Sequence, residues 1–450
     1  MKRIIKRLFA AVLLLPAGLP AVAQQPPQTL EACIRHAIEH NIQLKQREQE
    51  QSLREIELNT SLNSWLPSLN AGIGQNLDFG RSPSKDGLIV DRNSANSSAS
   101  LQLNMPVFDG FRISNDIAAR RLNLQAAVEA LNRAREDLAV GVASYFLQVL
   151  YSKEIRYVAE LQVALSAEQV RRTEALVGAG KAPASQLYDI RAQQAKDEAT
   201  LTEARNNVSL ALLDLAQSLE LEHLGSDFDI AAPEVDSLIA ELAASLQPPE
   251  LIYENAVAVK PQIREQEYLL ESQKKTLRTA QSGYYPKLNL NASYGNGYYH
   301  YSGSEGLANI PLADQLRQNE RKTVGLTLTV PIFSRFEVRN SVRSARVAIV
   351  NRELMVENAK KALYKEIQQA YFNATAAQEK YVASGKAVEA GREAFTYAEE
   401  RYAAGKSSVF EYGEARTRYA QSLSEQAQAK YNFLFRAKIL DFYNGKPITL

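Results

Sequence analysis

The chain of 450 residues has little of the material from which disulfide scaffolds and metal centres are built. It contains one cysteine, Cys33, and four histidines. A single cysteine excludes a disulfide framework within the chain, and scattered histidines argue against a metal cluster. His36 and His40 lie one helical turn apart but lack a carboxylate partner at metal-site spacing, which favours ordinary polar positions on a helix. We therefore predict no metal site and no cofactor.

Catalytic motifs and a strong charge of one sign are missing as well. The sequence has no HExxH, P-loop or CxxC motif and no Ser/His/Asp arrangement, so we predict no catalytic residues and no enzyme activity. The 52 basic and 51 acidic residues leave a net charge of +1. Such a balance creates no field for nucleic acid, and no nucleic-acid partner is expected.

A long apolar run occurs only at the N-terminus. Residues 1–23 combine four basic residues, an apolar run from Leu8 to Leu15 and a final Ala21-Val22-Ala23. This is the pattern of a secretory signal peptide. No run of 18 apolar residues follows, so the sequence predicts no transmembrane helix. A soluble periplasmic protein and an outer-membrane β-barrel remain as alternatives at this point.

The chain contains an internal duplication. The stretch LQLNMPVFDGFRISN (101–115) aligns with LTLTVPIFSRFEVRN (326–340), 225 residues later, and the same offset carries Gly180 onto Gly405. Self-similarity of this kind indicates two copies of one structural unit.

The duplication fixes the predicted domain organisation. After the signal peptide, the sequence predicts a first repeat, a linker, a second repeat and a C-terminal tail. Their predicted ranges are 24–220, 221–250, 251–445 and 446–450.

Each repeat contains a predicted β-hairpin, at about 67–108 and about 286–333. Apolar and polar residues alternate with period two, as in Leu69, Ala71 and Ile73 against Asn70, Gly72 and Gly74. This alternation predicts four strands of ten or so residues with one apolar and one polar face, a length that crosses an outer membrane. Polar loops, 80–98 and 302–322, are predicted between the strands of each pair. The alternative is a soluble hairpin whose apolar face packs on a core.

The remaining segments are predicted to be helical. About 67 residues from Gly110 to Leu176, and a similar run from Arg335 to Ala403, would span roughly 100 Å as helix. They end at predicted tip turns, about 178–185 and about 403–408, and return as helices of only about half that length. The linker 221–250 is therefore predicted to lie at the middle of a long cylinder. Four strands cannot close a barrel in lipid, whereas three copies supply twelve.

This plan of two helix–hairpin–helix copies behind a signal peptide resembles the TolC-like outer-membrane efflux proteins, over essentially the whole mature chain. The resemblance implies an α+β fold: a homotrimeric duct in which each chain gives four antiparallel strands to a 12-stranded outer-membrane β-barrel, with long coiled-coil helices forming a periplasmic α-barrel. It implies a passive exit duct of a tripartite efflux or type I secretion system, gated at its periplasmic tip. The implied partners are outer-membrane lipid, a periplasmic adaptor (membrane fusion) protein and an inner-membrane transporter of the RND, ABC or MFS class.

The resemblance also implies site residues at the two turns after the long helices. The residues implied at the periplasmic gate are Glu411, Glu414 and Tyr402, and those implied for the tip turns and adaptor docking are Gly180, Lys181, Gly405 and Lys406. The family's ion-pair latch is not reproduced, because its Arg and Asp partners are Ser407 and Gln186 here. Lys181, Lys406 and Asp189 are candidates for other gating contacts.

Two other functions remain open on the residues alone. One is a periplasmic coiled-coil protein with a structural or adhesive role and soluble hairpins. The other is a porin with selective uptake, against which more than about 100 Å of paired helix argues.

Overall fold

The computed structural model of the chain describes residues 28–83, 89–91, 93–221, 228–244, 246–302 and 309–450. The predicted signal peptide, residues 1–23, lies outside the described residues. Within them, no helix is both long enough and apolar enough to cross a membrane.

The chain folds into ten α-helices and six strands over these ranges, in two similar sets joined by a linker. The first set is α1 (Leu30–His40), α2 (Ile42–Leu62), β1 (Ser68–Asp78), β2 (Arg81–Pro83), β3 (Ile89–Asp91), β4 (Asn93–Phe108), α3 (Arg112–Gly178) and α4 (Ala184–Ser218). The linker carries α5 (Val235–Ala244). The second set is α6 (Pro249–Val259), α7 (Pro261–Gln281), β5 (Lys287–Ser302), α8 (Leu312–Gln318), β6 (Arg321–Thr329), α9 (Glu337–Ala403) and α10 (Val409–Tyr443).

Four long strands form one antiparallel sheet in the order β1-β4-β5-β6, and the predicted fold class is confirmed. The predicted strand length is wrong for β4 and β5, which have 16 residues each. Residues 93–98 were expected in a polar loop, but Ser94 to Ser98 pair in register with Tyr301 to Gly297. Ladder hydrogen bonds come from the backbone, so small polar side chains do not prevent strand pairing.

The second inter-strand segment also has structure that its composition did not predict. The short helix α8 lies against β5, and Gln315 of α8 is 1% exposed. The Gln315 amide bonds both backbone groups of Tyr299, accepting its N–H at 2.9 Å and donating to its C=O at 2.8 Å. A side-chain amide here takes the place of a neighbouring strand, because β6 pairs with β5 only as far as Gly295.

The helix entering each hairpin is broken into two pieces of 11 and 21 residues. The breaks fall at Asn41 and Lys260, each with a ψ of 127°. Asn41 caps α2 by accepting the N–H of Leu44, and Lys260 precedes Pro261, which disfavours a helical conformation at the residue before it. Equivalent breaks in both sets show that the duplication extends into the helical geometry.

The half-length helices meet end to end beside the long ones, which agrees with their predicted lengths of about half a long helix. At the end of α4, Glu220 accepts the N–H of Ile42 at 3.3 Å. At the end of α10, the ring of Phe442 lies 3.3 Å from the Lys260 ammonium. The long helices α3 and α9 therefore run past both members of a stacked pair.

The main core lies at this junction, near the midpoints of the long helices. It joins α1, the middle of α3, the ends of α4 and α10, and the linker. Its fully buried members include Leu30, Val142, Phe146, Leu215, Ile239 and Phe433. Ile448 of the C-terminal tail packs there too. The half-length helices therefore end at this core, beside the middle of the long helices.

Candidate functional site

The two helical hairpins, α3–α4 and α9–α10, end in turns with the same hydrogen-bond pattern. Gly180 N–H donates to Val177 O at 2.9 Å and Lys181 N–H to Leu176 O at 2.8 Å. In the second turn, Gly405 N–H donates to Tyr402 O at 3.1 Å and Lys406 N–H donates to Arg401 O at 2.8 Å. This is a Schellman cap, and both glycines have a φ of 70°. The repeated Ala-Gly-Lys is therefore explained by a helix end that needs a left-handed residue.

The return helix of the second hairpin begins with a capped turn that includes Glu411. Ser408 is the N-cap, and its Oγ accepts the Glu411 N–H at 3.2 Å. A carboxylate in the first turn also interacts favourably with the helix dipole. Glu411 therefore has a local structural role in addition to the predicted role at the gate.

Each acid predicted at the gate lies close to an arginine of the same chain. Glu411 Oε2 lies 3.8 Å from Arg401 Nη2 at the end of α9. Glu414 forms an ion pair with Arg418, one turn further along α10. All four side chains are about half exposed or more, so each pair contributes little stability. Their effect is on the local field, because each carboxylate has a compensating charge beside it.

Tyr402 is buried between the two hairpins, where it connects them. Its ring stacks on that of Tyr412 at 5.1 Å, and its hydroxyl accepts a hydrogen bond from Gln186 Nε2 at 3.3 Å. The guanidinium carbon of Arg172, on α3, lies 5.7 Å from the centre of the Tyr402 ring, and an Arg172 N–H donates to Ala403 O at 3.2 Å. Burial raises the pKa of Tyr412, which favours the neutral phenol. At this level the two hairpins are therefore joined by a neutral hydrogen bond, by ring stacking and by a cation–π contact.

Further from the turns, the hairpins are joined by a buried ion pair. Arg416 of α10 donates to Asp197 of α4 at 2.8 Å, and the side chains are 4% and 11% exposed. Gln193 donates to the other carboxylate oxygen at 2.8 Å. A cleft of about 490 Å³ runs from this pair towards the turns, between α4 and α10. The hairpins are thus held at two levels with an open space between them.

The structure brings some of the predicted residues together and leaves others apart. Tyr402 contacts both hairpins, whereas Lys181 and Lys406 are exposed on separate turns. Sequence reasoning missed Arg172 and the Asp197–Arg416 pair. The only sequence signal for Arg416 was its place 225 residues after Arg191, and Arg191 itself pairs with Glu174 inside the first hairpin.

The chain was compared with known protein families and with characterised relatives. A family model described as outer membrane efflux protein matches residues 33–220 and 252–445, one range in each copy. Outer membrane protein TolC of Escherichia coli (strain K12) is 24% identical over 76% of this chain and 68% of its own length. Outer membrane efflux protein BepC of Brucella suis biovar 1 (strain 1330) is 20% identical over 86% of this chain and 78% of its own length.

Solved structures share the fold at low identity. A structure of CusC superposes with a TM-score of 0.76 at 15% identity and covers 93% of this chain and 92% of its own. The CmeC outer membrane channel of Campylobacter jejuni has a TM-score of 0.71 at 17% identity and covers 93% of this chain and 86% of its own.

The duplicated architecture and the family match over both copies lead to the same conclusion. The chain belongs to the outer membrane efflux protein family and serves as an exit duct of a tripartite efflux system in the outer membrane of a Gram-negative bacterium.

Proposed function

We propose that three copies of this chain assemble into one closed tube. One chain leaves both outer strands of its sheet, β1 and β6, with an unpaired edge in the described structure. An unpaired edge is not tolerated in the hydrocarbon of a membrane, so β6 of one copy must pair with β1 of the next. Three sheets of four strands then close a twelve-stranded barrel, and the helices form the tube below it.

The side chains of the edge strands support contact of this barrel with outer-membrane lipid. On β1, Leu69 and Ile73 are 67% and 91% exposed, and on β6, Val324 and Leu328 are 76% and 62% exposed. The alternate positions of each strand, which face the other way, are polar or glycine: Asn70 and Gly72 on β1, and Gly325 and Thr327 on β6. An apolar outer face and a polar inner face are the pattern of a barrel with a wet lumen. The 16-residue strands β4 and β5 exceed the 9–11 or so residues that cross a bilayer, and they would project beyond it.

The far end of the tube is proposed to be its gate, and the contacts of Tyr402 carry this proposal. Widening the mouth requires the second hairpin to move away from the first. That motion breaks the bond from Gln186 to the Tyr402 hydroxyl and pulls Arg172 from the Tyr402 ring and from Ala403 O. The hydrogen bonds and the cation–π contact are weak individually, so a docking partner can break them at the turns while the buried Asp197–Arg416 pair, further from the turns, stays formed.

Glu411 and Glu414 are proposed to line the mouth as a charge-balanced ring. Three copies bring six carboxylates to the aperture, together with the arginines beside them, Arg401 and Arg418. The paired arrangement reduces the negative field in the closed state. Movement of α10 relative to α9 would separate Glu411 from Arg401 and expose an acidic mouth that favours cations.

The turns themselves are proposed to dock a periplasmic adaptor (membrane fusion) protein, which connects the duct to an inner-membrane RND, ABC or MFS transporter. Gly180 and Gly405 shape two exposed turns that each present a lysine, Lys181 or Lys406. In the return helices behind these turns, Tyr188 and Phe410 are 67% and 77% exposed. The exposed aromatic side chains suit a protein contact, since aromatic residues are enriched in interfaces. The two lysines add positive charge that would attract an acidic surface of the partner.

Conductance in planar bilayers tests the gate. The double variant Gln186→Leu with Tyr402→Phe removes the hydrogen bond and keeps the buried ring, and we expect a larger mean conductance than in the unmodified protein. Tyr188→Phe is the control, because it removes a tyrosine hydroxyl from the same region without touching the second hairpin's contacts. Equal conductance of the unmodified protein and the double variant would contradict the gate.

The ring of acids and the assembly are tested separately. Glu411→Gln with Glu414→Gln should weaken block of the channel by a multivalent cation, since the carboxylates bind it. Block of unchanged strength would show that neither acid lines the aperture.

The assembly is tested by the mass of the detergent-purified protein, which should equal three chains. A monomer would overturn the assembled tube.

A further inference from the structure

Buried polar atoms without hydrogen-bond partners are concentrated at the tip, where the two hairpins end in their turns. Over the residues that the structure describes, seven buried side-chain nitrogen or oxygen atoms have no hydrogen-bond partner, and five of the seven lie near the turns. Native proteins leave few buried polar groups unpaired, so this concentration calls for a physical explanation. We call the five residues the tip cluster: Gln169 (Oε1), Thr173 (Oγ1), Ser407 (Oγ), Tyr412 (Oη) and Arg416 (Nε).

The tip cluster lies where the two hairpins meet. Gln169 of α3 lines the same cleft as Tyr412 and Arg416 of α10, so both hairpins contribute to the cluster. Thr173, one turn further along α3, is 0% exposed. Tyr412 Oη lies near the Gln169 amide, but the two groups do not meet in hydrogen-bond geometry. The packing of the hairpins therefore buries polar atoms that it does not pair.

Other polar groups at the same level are paired, so the deficit belongs to particular atoms. Tyr402 Oη accepts a hydrogen bond from Gln186 Nε2 at 3.3 Å. Ser166 Oγ lies 3.0 and 3.1 Å from two carbonyl oxygens of its own helix. Because the rings of Tyr402 and Tyr412 stack at 5.1 Å, one paired and one unpaired phenol lie side by side.

An unpaired buried polar group raises the free energy of the state that buries it. The group loses its hydrogen bonds to water and gains none in the protein, so its desolvation is not compensated. Separation of the hairpins lets water reach these atoms, and the same motion breaks the contacts of Tyr402. The tip cluster therefore acts against the closed tip, whereas the Tyr402 contacts act for it.

We propose that the tip cluster is a built-in bias towards opening, a proposal that rests on the gate proposed above at Tyr402. Hydration of the cluster offsets part of the free energy needed to break the contacts between the hairpins. A docking partner then has to supply only the remainder as differential binding to the open tip. The unpaired atoms thus have a role in regulation, because they set how readily the closed tip yields.

The two stacked tyrosines provide a matched test. Tyr412→Phe deletes an unpaired hydroxyl and Tyr402→Phe deletes a paired one, and both variants keep the ring. Amide hydrogen exchange of the full chain in detergent measures local opening where α10 faces α3 and α4. We expect exchange there to slow by about fivefold or more in Tyr412→Phe, the low end of what an unpaired buried group costs. Exchange should become faster in Tyr402→Phe.

Helix α3 offers a second matched pair of substitutions. Thr173→Val replaces an unpaired buried hydroxyl by a methyl group, whereas Ser166→Ala removes a hydroxyl that has partners. We expect slower exchange in Thr173→Val and no slowing in Ser166→Ala. The proposal is overturned if Tyr412→Phe and Thr173→Val leave exchange unchanged or speed it, as they would if an internal water molecule paired these hydroxyls.

Conductance of the same variants in planar bilayers separates this proposal from the gate itself. Slower exchange in Tyr412→Phe together with a smaller mean conductance supports both the bias and the gate. Slower exchange with unchanged conductance supports the bias and overturns the gate at the tip. Unchanged or faster exchange overturns the bias, whatever the conductance shows.

Discussion

The buried ion pair between Asp197 and Arg416 leads to the sharpest prediction. Replacing Arg416 by Met keeps most of the side-chain volume but leaves the Asp197 carboxylate with Gln193 as its remaining side-chain donor. Removing one member of a buried pair costs about 3–5 kcal/mol, because the other charge stays desolvated. The cleft beside the pair has a volume of about 490 Å³ and lets water reach that charge, so we expect the lower end.

A cost of about 3 kcal/mol should appear as local opening of the tip. Amide hydrogen exchange measures such opening directly, and this free energy corresponds to about a 150-fold faster exchange where α4 faces α10. The control is Arg418→Met, the same substitution two residues away. Arg418 pairs with Glu414 at the surface, where loss of the pair costs at most about 1 kcal/mol.

The double variant decides whether the effect comes from the pair. Asp197→Leu with Arg416→Met replaces both charges by apolar groups, which is often neutral or stabilising in a buried site. We expect exchange within about tenfold of the unmodified protein, hence a coupling free energy of about 2 kcal/mol or more. If the effects of the two single substitutions simply add in the double variant, the two side chains act independently and the reasoning is refuted.

Three further predictions concern other parts of the chain. Gly405→Ala should destabilise the second turn by about 1 kcal/mol, because the φ of 70° at this position strains an L-residue. Gly413→Ala should instead stabilise the protein by about 0.5–1 kcal/mol, because Gly413 lies inside the helix α10. Thermal melts that shift in the same direction for both variants would contradict this. Gln315→Leu leaves the N–H and C=O groups of Tyr299 on β5 without their Gln315 partner, which costs about 1–3 kcal/mol of stability for each group. This variant should be cleaved faster by a protease between β5 and β6. Gln318→Leu, at an exposed position of the same helix, should be cleaved at the unmodified rate. Burial, aided by Glu366, raises the pKa of Tyr443 to about 12 from 10.0, so its stabilising contribution is complete below pH 10 and is lost as pH rises to about 12. Tyr443→Phe should therefore flatten alkaline unfolding in that window, and an unchanged profile would rule the contribution out.

The sequence alone was sufficient for the repeat, for the types of the long strands and helices and for the family. Period-two alternation around Ile73 and long uninterrupted runs such as 112–178 are local patterns, and local patterns determine secondary structure type. The glycines Gly180 and Gly405 were found by their spacing and proved to have the same left-handed conformation. Boundaries were predicted less well, as the early start of β4 at Asn93 shows, because strand length depends on the neighbouring strand.

The contacts between the hairpins could not be predicted from the sequence. Arg172 and Ala403 are separated by 231 residues along the chain, and Arg416 and Asp197 by 219. Each of these residues fits a solvated helix surface equally well when only its own segment is considered. Which polar side chains become buried is decided by how two hairpins pack, and that packing is a property of the tertiary structure. The sequence determined the elements and their order, whereas the fold alone decided which charges are buried between them, because desolvation depends on every neighbouring helix at once.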